Sequence, residues 1–91
     1  MATIRIPTPL RPYTGGNERV TVSGATVQEA LADLTARYPE LRPHLFDGDN
    51  GKLRSFVNVF LGEEDVRYLQ GVETAINPDD QLMIIPSIAG G

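Results

Sequence analysis

The sequence predicts an α+β fold of two layers, a mixed sheet covered on one face by a single amphipathic helix. Three observations predict it. Several short segments alternate polar and apolar residues with the period of a half-buried strand. One segment, Thr26 to Tyr38, repeats its apolar positions at helical spacing. Proline and glycine clusters separate these segments. One helix can cover one face of one sheet, which is the two-layer solution.

The first strand is Thr3-Ile4-Arg5-Ile6, ended about Pro7 because Pro7, Pro9 and Pro12 have no N–H for a sheet ladder. Thr14-Gly15-Gly16-Asn17 is turn chemistry, and Arg19-Val20-Thr21-Val22 returns as the second strand of a hairpin. Thr26-Val27-Gln28-Glu29 is a capping-box sequence. Behind it Val27, Ala30, Leu31, Leu34 and Tyr38 form one apolar stripe, stopped by Pro39. Leu41 to Leu45 is read as a short helical turn, with Pro43 inside it, and Asp47 to Gly51 as a loop. Phe56 to Leu61 is a β-rich run with Val57, Val59 and Leu61 on one face. Gly62-Glu63-Glu64 is a turn, Asp65 to Tyr68 a short edge strand, and Asn77-Pro78-Asp79-Asp80 another turn. Gln81 to Ile85 is the last strand, ended by Pro86, and residues 87–91 are expected to be a flexible tail. Hairpin, helix and then further strands is the order of a β-grasp, in one domain spanning residues 1–91.

The 91 residues carry a net charge of −4 and no cysteine. The missing thiols exclude disulfides, thiolate metal sites and cysteine nucleophiles, and leave the core to hold the fold unaided. An acidic chain without a Lys/Arg cluster is a poor partner for nucleic acid or anionic lipid. With no signal-peptide pattern and no long apolar run, the expected location is the cytoplasm.

Side-chain catalysis finds little support. His44 is the sole histidine, and no converging carboxylates are evident, so no metal site is expected. Ser23, Ser55 and Ser87 lack a nucleophile-elbow context. Glu63-Glu64-Asp65 and Asp79-Asp80 read as solvated loop charges, with docking against a basic partner as the sharper alternative. The sheet face turned away from the helix says more. If Leu82 and Ile84 point inward, alternation sends Met83, Ile85 and Phe60 outward, and with Ile88 they form an apolar docking patch beside the tail. The sequence then runs Ser87-Ile88-Ala89-Gly90-Gly91. Glycine has no Cβ, so Gly90 and Gly91, after the small Ala89, can thread a narrow channel with the acyl carbon unhindered.

The stretch Asp80 to Gly91 resembles the ending of the MoaD/ThiS sulfur-carrier family. Thr26 to Leu31 is similar to that family's helix start, and Phe56 to Arg67 to its third strand and hairpin. The opening Ile6-Pro7-Thr8, Arg11-Pro12, Thr14-Gly15-Gly16 and the later Gly51-Lys52-Leu53 resemble most the CysO type, the carriers of cysteine biosynthesis. The resemblance covers essentially the whole chain. It implies an ubiquitin-like β-grasp carrier, not an enzyme.

In that family an E1-like activating enzyme would use Mg-ATP to adenylate the carboxylate of Gly91, and a sulfur donor would then replace AMP to leave a thiocarboxylate. The acceptor in the cysteine route would be an aminoacrylate on the pyridoxal phosphate of a partner cysteine synthase, and a peptidase would release the product from the tail. No cofactor is implied for this chain itself. Carried over, Gly91 is the acyl site, Gly90 the threading residue, and Ile85 the apolar contact near the tail. The small subunit of a molybdopterin synthase, a carrier for another thio-compound and a protein modifier forming isopeptide bonds share the same tail chemistry.

Overall fold

The computed structural model describes residues 1–46, 53 and 57–86. The expected loop Asp47 to Gly51, Phe56, and the tail with Ile88, Ala89, Gly90 and Gly91 lie outside the described residues.

Five strands form one sheet in the order β2-β1-β5-β3-β4, from β1 (Ala2–Arg5), β2 (Arg19–Val22), β3 (Val57–Leu61), β4 (Glu64–Asp65) and β5 (Gln81–Pro86). β1 pairs antiparallel with β2 and parallel with β5, and β3 pairs antiparallel with both β5 and β4. The helix α1 (Val27–Arg37) lies between the first hairpin and β3 in the chain, which with this order is the β-grasp. The strand nearest the C-terminus is therefore the central one, held on both sides.

Local chemistry explains α1. Thr26 is the N-cap, its hydroxyl accepting from the Glu29 N–H at 3.2 Å. The Glu29 carboxylate reaches back one residue further than in a simple capping box, accepting from the Ala25 N–H at 2.9 Å. Val27, Ala30, Leu31 and Leu34 are fully buried, as the stripe requires. Tyr38 is only half-buried and is the C-cap, since Pro39 opens a 3-10 turn over Pro39–Leu41. A short helix, α2 (Arg42–Leu45), follows and buries Leu45.

Alternation holds along the sheet. Ile4, Val20, Val22, Val57, Val59, Leu82 and Ile84 face the helix layer and are buried. They join Ile6, Leu31, Leu34, Leu41 and Leu45 in one core cluster. Gly15 and Gly16 take φ of 65° and 83° at the hairpin end, where only glycine turns without strain. The buried Thr14 hydroxyl sits between the carbonyls of Arg11 at 3.2 Å and Asn17 at 3.1 Å, pinning that turn.

Three segments differ from expectation. Thr8–Thr14 is a 3-10 helix where the prolines exclude a strand; Pro9 sits in its first turn, where a missing N–H costs nothing. The expected edge strand Asp65 to Tyr68 is only β4, Glu64–Asp65, followed by a 3-10 turn over Val66–Tyr68. The Asp65 carboxylate accepts from the Arg67 N–H at 2.9 Å and bends the chain so that Val66 enters the core. Pro86 belongs to β5 instead of ending it, paired opposite Val57. The pairing of β1 with β5 ends at Arg5 and Met83, so on that side no donor is demanded of Pro86.

Candidate functional site

On the face of the sheet away from α1 lie three of the four residues expected to form an apolar patch. Phe60 on β3 and Met83 on β5 are directly opposed, and both are half-buried. Ile85, opposite Asn58, is 39% exposed, whereas its neighbour Ile84 is 1% exposed. That contrast within one dipeptide settles the register: Met83, Ile85 and Phe60 share the outer face. Ile88 lies outside the described residues, as do Ala89, Gly90 and Gly91.

The patch has charged flanks. Arg5 on β1 lies opposite Met83, and Arg19 on β2 lies opposite Arg5. Asp65 on β4 lies opposite Phe60 on the other side. Arg5 and Glu18 form an exposed ion pair at 3.6 Å. Sequence reading raised Asp65 only within an acidic run and did not single out Arg5 or Arg19. Alternation places Arg5 and Arg19 on outer faces, but their alignment with Met83 is a property of the pairing register.

On the helix side Tyr13, Arg37, Tyr38, Pro39 and Glu40 line a cleft of about 420 Å³. The Tyr13 and His44 rings stack with centroids 4.2 Å apart, and the Asn17 amide donates to the Tyr38 hydroxyl at 3.3 Å. Arg37 is engaged by Asp33 at 2.7 Å. The same Asp33 carboxylate accepts from the Ser23 N–H at 2.9 Å. That backbone N–H first, and then Arg37, hold its pKa below the ordinary 3.8. Through Ser23, which follows β2, the Asp33 carboxylate ties that strand to α1. Among the described residues no group of three or more His, Asp or Glu could hold a metal ion, and no helix is long and apolar enough to cross a membrane.

What the described residues offer is an apolar outer face on the central strand, β5, which runs to Pro86. The family model of the ThiS family matches residues 4–91, nearly the whole length. The chain belongs to the ThiS family. Within it, the chain is 44% identical over 90 residues to the sulfur carrier protein CysO of Mycobacterium tuberculosis, covering 98% of this chain and 97% of that one. A chain in the crystal structure of the Amycolatopsis orientalis BexX/CysO complex superposes with a TM-score of 0.89 at 40% identity, each chain covered in full. The small archaeal modifier protein 1 of Methanosarcina acetivorans superposes with a TM-score of 0.87 at 28% identity, over 99% of this chain and 95% of its own. The fold is thus ubiquitin-like, and this ThiS-family domain is a small sulfur carrier.

Proposed function

We propose that this chain carries sulfur as a thiocarboxylate at Gly91 and donates it in cysteine biosynthesis. The observation that carries the proposal is the placement of β5. It is the central strand, clamped by β1 and β3, and it bears the exposed apolar patch immediately before the family's glycine tail. The likeness to CysO, at 44% identity over nearly the full length, supports cysteine as the product of the route.

The chemistry proceeds on an E1-like partner. A carboxylate oxygen of Gly91 attacks the α-phosphorus of Mg-ATP, and pyrophosphate leaves. The acyl adenylate turns a poor acyl donor into a good one. A sulfur donor then displaces AMP, forming the C–S bond of the thiocarboxylate. The thioacid is ionised at neutral pH and more nucleophilic than the parent carboxylate, so its sulfur attacks an electrophilic carbon presented by a pyridoxal-phosphate-dependent cysteine synthase. A peptidase then frees the product from the tail. The tail must reach into each active site while the patch of Met83, Ile85 and Phe60 holds the sheet outside. Gly90 and Ala89 carry no bulk that would block the channel. A complex of CysO with BexX has been crystallised, which supports docking of this fold onto partner proteins.

Mass spectrometry of the protein from its native host, with a reagent that traps thiocarboxylates, tests the proposal. The expected species is heavier by exchange of one oxygen for sulfur, mapped to Gly91. Deleting Gly91 is expected to abolish adenylation while the fold persists; normal activation of that variant would sink the proposal. The likeness to the Methanosarcina modifier keeps one other outcome in view. A tail joined to lysines of other proteins, with no sulfur species, would establish a modifier instead.

A further inference from the structure

On the outer face of the sheet, one residue from each of the five strands falls in a single register row: Arg19, Arg5, Met83, Phe60 and Asp65. With strands about 4.8 Å apart, the row spans roughly 19 Å. It runs from two cations through an apolar centre to an anion. Placing Arg19 directly opposite Arg5 sets like charges against each other, which is unfavourable for the sheet itself. Glu18 offsets Arg5 alone, at 3.6 Å with both side chains about half exposed (51% and 54%). A chain of net charge −4 thus keeps two adjacent guanidinium groups beside its docking patch.

We propose that this row sets the orientation in which the adenylating enzyme docks: carboxylates of the enzyme face Arg5 and Arg19, and a cation faces Asp65. This rests on the carrier function proposed above. An apolar patch alone is nearly indifferent to rotation about the sheet normal, because hydrophobic contact has no direction. Rotation matters here, since β5 supplies both the middle of the row and the start of the tail. A misrotated complex points the tail away from the nucleotide. Two opposite poles remove that freedom. Their separation exceeds the Debye length of about 8 Å at physiological salt, so the enzyme reads each pole locally. Charge complementarity of this sort steers encounter and rejects wrong partners more than it adds affinity.

Steady-state adenylation of the full chain by the host's E1-like enzyme, followed by ATP–pyrophosphate exchange, tests this. For the double variant Arg5→Glu/Arg19→Glu, kcat/KM at low salt is expected to fall about tenfold with kcat itself lowered, because misrotated complexes bind without presenting the tail to the nucleotide. The gap should close as salt is raised, because exposed pairs are screened. Asp65→Asn keeps the acceptor for the Arg67 N–H while removing the charge, and is expected to lower kcat/KM about threefold. Thermal unfolding of each variant is recorded alongside; Arg19→Gln replaces the double variant if that one fails to fold. Variants with wild-type kcat/KM and wild-type salt response, or with a raised KM at unchanged kcat, would overturn the orientation proposal while leaving the carrier function intact. A wild-type chain that the enzyme does not adenylate would instead overturn the carrier function, and the proposal with it.

Discussion

At the scale of single residues, neighbours on β5 have opposite duties. Ile84 is in the core and Ile85 on the surface, so the same substitution at the two positions separates folding from docking. Ile84→Asp would bury an unpaired charge and is expected to abolish cooperative unfolding. Ile85→Asp is expected to shift Tm by no more than about 3 °C while raising KM for adenylation about tenfold. Equal effects on stability at both positions would mean that the outer face is part of the core. Asp33 makes a second residue-scale case, with the sign set by its lowered pKa. Its folded-state carboxyl is more acidic than in the unfolded chain. The stabilisation is therefore complete above the ordinary value of 3.8 and is lost as pH falls through the lower folded value. Asp33→Asn is expected to flatten this acid limb, and denaturant midpoints followed from pH 5 down to about 2 would show it. An unchanged slope would mean the ties to Ser23 and Arg37 contribute nothing.

Among elements, α1 and its approach show how much is local. Thr26, Glu29 and the stripe of Val27, Ala30, Leu31 and Leu34 all act as their spacing requires, because capping and periodicity are short-range properties. Gly24 just upstream is different. It takes φ of 147°, and a Cβ there would lie 2.8 Å from both the Ala30 N and the Glu29 Cβ. The chain passes hard against the first turn of α1, and nothing near Gly24 in the sequence announces that. Gly24→Ala is expected to destabilise the fold by about 2 kcal/mol in urea denaturation, through overpacking and an unfavourable φ. A neutral result would mean the approach to α1 relaxes freely. The 3-10 segments Thr8–Thr14 and Val66–Tyr68 teach the same lesson. Proline and alternation say where a ladder stops, but the burial of Leu10 and Val66 decides what replaces it.

For the whole molecule, the strand order makes β5, the last of the described strands along the chain, the central one. β1 and β2 form one hairpin, β3 and β4 another, and only β5 joins them. A chain cut after Asp80 leaves two pairs with no strand between them, whereas a chain cut after Pro86 keeps every described strand. The shorter fragment is expected to show no cooperative urea transition, and the longer one a transition close to that of the full chain. Cooperative unfolding of the 1–80 fragment would show that β5 is an accessory to the sheet. Carrying the tail on the strand that closes the fold has a functional sense. In the proposed carrier, only the folded chain presents the patch and the charged flanks on the strand that leads into the tail sequence.

By itself the sequence determined the periodicities, the caps, the breakers and the faces of β5, together with the glycine tail and its family. All but the family, which rests on residues 4–91, are local, depending on residues a few positions apart. Tertiary structure alone decided that β5 lies between β1 and β3, that Gly24 abuts α1, and that Arg19, Arg5, Met83, Phe60 and Asp65 stand in one row. Strand pairing joins residues up to 78 positions apart, as Thr3 is joined to Gln81. Its register is set where the buried side chains of both layers fit at once, a condition that no single segment contains.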